Sequence, residues 1–266
     1  MISLKKSRYP LPNLKKMPMK LSYRLNIALL LFLLTVSPGF GADPPKPKDV
    51  KQTQALLQEA EVSFSQNNFA EAARAYRRAL KINPDLAEAH YGLGLALARL
   101  GHYQEAVSSF KEALHYKPGW AKADKDLGVT YLKLKHWPEA EKAFRSSLEH
   151  QPQDAEASND LGVALGKQGK HREARAAFEK ALSLQPDYVQ ALNNLGMANI
   201  KLGRWAEAKS AFEKALHLKP DSAEAHLGLL ACYMKEGDSQ KAAQTYQTLS
   251  TLDKNLAHKA DELLGR

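Results

Sequence analysis

Metal binding, covalent catalysis and phosphate capture each need particular side chains at particular spacings, and this chain offers few of them. Nine histidines are present, yet none stands in an HExxH pair or clusters with the single cysteine, Cys232. Neither zinc-protease nor structural-zinc spacing is met. No GxSxG elbow and no phosphate-cradling glycine loop occurs; the glycines of YGLGLALARLG fall inside and at the end of one helical pattern. One cysteine allows no intrachain disulfide. The residues exclude a recognisable catalytic, metal or cofactor site, and the search passes to whatever positions the rest.

Pro84, Pro118, Pro152, Pro186 and Pro220 stand 34 residues apart. A fixed period of this length means one supersecondary unit copied in tandem. With each unit ending two residues after its proline, the repeats run 53–86, 87–120, 121–154, 155–188, 189–222 and 223–256. Repeat position 24 is then Tyr76, Phe110, Phe144, Phe178, Phe212 and Tyr246. Phe and Tyr total 18 of 266 residues, so six such hits by chance is roughly a one-in-ten-million event.

The other recurring positions have their own physical reasons. Position 7 is Leu93, Leu127, Leu161, Leu195 and Leu229, and position 8 is Gly94, Gly128, Gly162 and Gly196, small enough for a second helix to approach. Position 20 is Ala72, Ala106, Ala140, Ala174, Ala208 and Ala242, the small residue expected to face it. Position 15 is Gly101, Gly169, Gly203 and Gly237, with Asn67 in the first unit. Both types tolerate the left-handed conformation that ends a helix. Proline at position 32 cannot continue a helix. Apolar residues within each half follow helical spacing, so each unit is a helix, a tight turn and a second helix.

Segments such as HYGLGLALARLGHYQEAVSSFKEALHYKP and ALNNLGMANIKLGRWAEAKSAFEKALHLKP resemble the tetratricopeptide repeat. That family's pattern is Leu-Gly at 7–8, aromatic or Leu at 11, Ala at 20, aromatic at 24, Ala at 27 and Pro at 32, and it is met across residues 53–256. Departures cluster at the ends: Glu59 and Ser63 in the first unit, Leu230, Leu249 and Lys254 in the sixth. Terminal units of a solenoid are expected to be atypical. Inside the array Lys135 replaces the turn glycine, Ser147 replaces Ala, and Pro138 falls in the first turn of its helix, where its missing N–H is harmless. The resemblance implies an all-α fold, a right-handed superhelical solenoid whose first helices line a concave groove.

On that resemblance positions 2, 5, 6, 9, 12 and 13 face the groove. Positions 5 and 6 supply Tyr91, Lys125, Asp126, Asn159, Asp160, Asn193 and Asn194, and position 9 supplies Leu95, Val129, Val163 and Met197. The apolar members either pack against a neighbouring repeat or form a shallow trough for a peptide or helix. Position 13 is Arg99, Lys133, Lys167, Lys201 and Lys235. This basic row suits an acidic partner, or neutralises the helix C-termini, the account we prefer. Asn194 resembles the asparagine ladder with which some family members grip peptide backbone, but Asp126 and Asp160 stand at its other central positions. The carboxylate clamp of chaperone-binding members is not matched, because Val129 replaces Asn and Gln190 and Asn194 stand where Lys and Arg would be needed. Cys232 shares position 10 with Ala96, Thr130, Ala164 and Ala198 and reads as a small packed residue.

Residues 1–41 have the layout of a secretory signal, or of an uncleaved signal anchor. Seven basic residues (Lys5, Lys6, Arg8, Lys15, Lys16, Lys20, Arg24) and no acid accompany the apolar run Leu25–Val36, followed by Pro38, Gly39 and Gly41. That run is too short for the roughly 20 residues a spanning helix needs. A start at Met17 or Met19 would give a more ordinary leader. Without these residues, the formal charge of +9 falls to 31 basic against 29 acidic, so no nucleic-acid footprint is expected. Residues 42–52 read as a Pro-rich linker and 257–266 as a truncated capping helix. The function expected is an exported (periplasmic or extracellular), non-catalytic scaffold that binds a protein or peptide segment in its groove. The alternative is an inner-membrane-anchored assembly factor for an envelope machine such as a secretion, pilus or cytochrome-maturation complex.

Overall fold

The computed structural model describes residues 47–264; the leader lies outside them. Among the described residues there are thirteen helices and no strand. The first-position helices are α1 (Pro47–Ser65), α3 (Ala87–Arg99), α5 (Ala121–Lys133), α7 (Ala155–Lys167), α9 (Val189–Lys201), α11 (Ala223–Glu236) and α13 (Lys254–Leu264). Between them run α2 (Phe69–Ile82), α4 (Tyr103–Tyr116), α6 (Trp137–His150), α8 (His171–Leu184), α10 (Trp205–Leu218) and α12 (Ser239–Leu252). Each helix packs on its sequence neighbours, giving the right-handed solenoid expected.

The turn inside each pair is a left-handed cap. Gly101 has φ 81°; its N–H donates to the Ala98 carbonyl and that of His102 to the Leu97 carbonyl, which satisfies two carbonyls at the end of α3. Lys135 adopts φ 59° despite its Cβ, and its N–H donates to the Leu132 carbonyl while that of His136 donates to the Tyr131 carbonyl.

Packing explains the small residues. A Cβ on Gly94 would stand 2.7 Å from the Phe110 ring, and one on Gly128 2.7 Å from Phe144. Overpacking of this kind typically costs about 1–3 kcal/mol. Phe110, Phe144 and Phe212 are fully buried between the helices they join. Burial of each such ring contributes about 1.5–3 kcal/mol. Ser147 is tolerated among the alanines because its hydroxyl donates to the Ala121 carbonyl at 2.8 Å, leaving no unpaired group.

Two boundaries differ from the sequence reading. Helix α1 begins at Pro47, inside the stretch read as linker, since proline's missing N–H is harmless in a first turn. Helix α13 begins at Lys254, ahead of 257, because Asp253 Oδ1 accepts the N–H groups of Asn255 (2.9 Å) and Leu256 (3.0 Å). The apolar core is also interrupted. One cluster runs from Ala60 to Ala198, a second begins with Leu192 and centres on Phe212, and a third joins Leu230, Leu249 and Ala260. Among the described residues no helix is long and apolar enough to cross a membrane.

Candidate functional site

Successive odd-numbered helices approach one another, whereas successive even-numbered helices do not. A curved array crowds its inner wall, so α3, α5, α7, α9 and α11 form the concave side. The candidate residues at positions 5, 6, 9 and 13 all lie on these helices.

In the second to fourth repeats the polar candidates are engaged with one another. The Tyr91 hydroxyl donates to Asp126 Oδ2 at 2.5 Å, and its ring lies 4.6 Å from Trp120. Burial, with Asp126 beside it, raises the Tyr91 hydroxyl well above its ordinary range. The Asp126 carboxyl is also raised by burial, which the Tyr91 bond only partly offsets. Lys125 Nζ reaches Glu156 at 2.8 Å and Asp154 at 3.0 Å. Burial pulls the Lys125 ammonium down, but those bonds outweigh it and leave it raised. Asn159 is 0 % exposed; it donates to Asp160 Oδ1 at 3.1 Å and accepts from Asn194 Nδ2 at 2.9 Å. Full burial removes Asn159 from the direct contacts the sequence suggests. Asp160 is pushed up to about 6 by burial against the lowering hydrogen bond from Asn159. The Tyr91–Asp126 and Asn159–Asn194 bonds each join position 5 to position 6 of the next repeat, and Lys125 reaches Glu156 of the next repeat as well, so these links are inter-repeat joints.

The fifth repeat is different. A cleft of about 650 Å³ opens on the concave side, with Asn193, Asn194 and Met197 of α9 below Leu227 of α11 and Leu256 of α13. Met197 is 46 % exposed. Asn193 donates to Ser222 Oγ at 3.2 Å, but its Oδ1 is buried without a protein partner. Lys219 and Glu224 add one charge of each sign to the lining.

The remaining candidates divide similarly. Leu95, Val129 and Val163 are half-buried against the core, as partial inter-repeat packing requires. Arg99, Lys133, Lys167 and Lys201 each stand exposed in the last turn of a helix, near unsatisfied carbonyls. Arg99 also lies over Phe69 at 5.7 Å. His90 and His226 bond the carbonyls of Pro84 and Pro220 at 2.8 and 2.9 Å, tying down the turns that precede their helices. Among the described residues no group of His, Cys, Asp and Glu could hold a metal ion. Cys232 is fully buried and its thiol is pushed up to about 11, chiefly by burial, which makes it a poor nucleophile.

A family model described as the Cilia and flagella-associated protein 70 C-terminal domain, a tetratricopeptide domain, matches residues 38–263. No curated protein sequence matches. Among solved structures, MamA is 26 % identical with a TM-score of 0.61, over 65 % of this chain and 95 % of that one. The pilF protein of Pseudomonas aeruginosa is 19 % identical, TM-score 0.67, over 81 % of this chain and 99 % of its own. YrrB, described as a TPR protein with an unusual peptide-binding site, is 22 % identical, TM-score 0.61, over 72 % of this chain and 100 % of its own. The latter two likenesses establish the fold alone.

Proposed function

The chain belongs to the tetratricopeptide family of the Cilia and flagella-associated protein 70 C-terminal domain, and from that membership we propose that it is a non-catalytic interaction scaffold that seats a protein segment on its concave side at the fifth repeat. The observation that carries this reading is the cleft over Asn193, Asn194 and Met197. There an exposed methionine stands one helical turn from an asparagine whose buried amide oxygen is unpaired. An extended segment would place an apolar side chain on Met197 and Leu227 and donate a backbone N–H to Asn193 Oδ1. Lys125, Asp126 and Asp160 serve as joints that hold the curvature of the groove.

A photo-crosslinker at residue 197, compared with one at the exposed residue Glu213 on α10, tests this in cells. The reading expects adducts from residue 197 that disappear with Asn193→Ala, while helicity stays unchanged. Equal adducts from both positions, or none from 197, would refute it.

The pattern of residues 1–41 supports a further part of the proposal, that the scaffold is exported and acts outside the cytoplasm. Amino-terminal sequencing of mature protein is expected to begin near Ala42 or Asp43. A retained leader instead supports the membrane-anchored assembly factor.

A further inference from the structure

A second cleft, of about 580 Å³, lies on the opposite, convex side, between α8 and α10 with α9 as its floor. One of its lining residues departs from the repeat pattern. Position 11 is Leu97, Tyr131, Leu165 and Tyr233 in the second, third, fourth and sixth repeats, but Asn199 in the fifth. Asn199 is only 2 % exposed, lines this cleft, and its Oδ1 has no protein partner. The apolar core divides at this repeat, and again at the sixth. Arg175 also lines the cleft; its Nη2 bonds Glu179 at 2.7 Å, while its Nε is buried and unpaired. Leaving a buried polar group unpaired costs about 1–3 kcal/mol, so two of them on side chains that line one cleft mark a place where a donor and an acceptor are wanted.

The neighbouring repeat shows what fills the equivalent space. In the sixth repeat the Tyr233 ring occupies position 11, with Lys209 Nζ 5.1 Å from its centroid. Thirty-four residues earlier the same two positions are Asn199 and Arg175. The cation is in place and the ring is missing. Arginine stacks on an aromatic face better than lysine does. Leu192 and Leu195 supply apolar lining beneath it.

The geometry points to a socket for an aromatic side chain bearing an O–H or N–H donor, a tyrosine or tryptophan of a protein partner. The ring would lie against the Arg175 guanidinium and the hydroxyl or indole N–H would donate to Asn199 Oδ1. This site is separate from the concave cleft and does not depend on it.

The test is an NMR titration of the full chain with p-cresol, indole, toluene and the capped tripeptide acetyl-Ala-Tyr-Ala-amide. The expected result is that p-cresol and indole shift the signals of Asn199, Arg175 and Ser210, and that toluene, lacking a donor, binds about ten-fold more weakly. Asn199→Leu fills the socket and abolishes these shifts. Asn199→Ala keeps the space but removes the acceptor, so the preference for p-cresol over toluene collapses to about unity. Binding of the tripeptide at least as tight as that of p-cresol assigns the socket to a partner's side chain. Binding of p-cresol without the tripeptide retains the socket but overturns the assignment to a protein partner. Shifts that survive Asn199→Leu, or none at 10 mM p-cresol (about a hundredfold above a 0.1 mM dissociation constant), overturn the socket itself.

Discussion

The fourth and fifth repeats share one register and differ in what their side chains leave unfinished. In the fourth, Leu165 fills position 11, Asn159 bonds Asp160 and Asn194, one core cluster runs through it, and the unpaired buried group is Arg175 Nε at the edge shared with the fifth. In the fifth, Asn199 stands at position 11, Asn193 Oδ1 is unpaired, Met197 is exposed, and a cleft opens on each face. The difference teaches that a solenoid can gather clefts and unpaired polar groups at one unit without altering its helix–turn–helix pattern. Two or three polar substitutions at otherwise apolar or paired positions suffice.

Exchanging the position-11 residues is the strongest way to break that contrast. Leu165→Asn should cost about 3–5 kcal/mol, combining lost burial with an unpaired amide, as read by urea unfolding. A loss below about 1 kcal/mol would mean that the fourth repeat is no tighter than the fifth. The reciprocal Asn199→Leu should stabilise by about 1–2 kcal/mol. A lower melting temperature would show that the Asn199 amide is satisfied in solution.

The pH dependence sharpens the comparison at the joint between the two repeats. Asp160 is raised to about 6 in the fold against about 3.9 when unfolded, so the native state binds the proton more tightly. Stability therefore rises as pH falls from 7 through 6 toward 4, with a slope of at most about 1.4 kcal/mol per unit, reduced by the group's partial exposure. Asp124 and Asp126 are raised by burial as well and act in the same sense. Glu141, brought down to about 2 by Lys170, Gln168 and Arg145 against its burial, loses its contribution only below about 4.5. Melting temperature should thus climb between pH 7 and 5, and Asp160→Asn should flatten part of that climb. An identical profile in the variant would deny Asp160 its part.

The smallest effects separate joints from ornament on the same groove. Lys125→Ala, which removes both ion pairs to Asp154 and Glu156, should cost about 1 kcal/mol. Lys133→Ala, at an exposed helix end, should stay within about 0.5 kcal/mol. Equal losses would erase the distinction.

Much of this was legible in advance. The recurrence of Gly94 and Phe110, or of Gly128 and Phe144, reads as a close helix contact because only a missing Cβ admits the ring. The basic row reads as helix-end charge because it recurs at one phase. Asn199 does not stand out in the sequence: one polar residue in a strong repeat looks like tolerance, and its meaning depends on whether a partner lies nearby. The pairing of Tyr91 with Asp126 and of Asn159 with Asn194 was equally hidden, since position 5 meets position 6 only across a packed interface.

The sequence by itself determined the unit, its length, its left-handed turns and its close-packed interior, because those follow from period, Cβ sterics and helical spacing that act within about one repeat. Only the tertiary structure decided which polar groups find one another and which are left buried and unpaired. That outcome depends on superhelical curvature, which brings atoms about 35 residues apart to within hydrogen-bonding distance at some rungs and holds them apart at others.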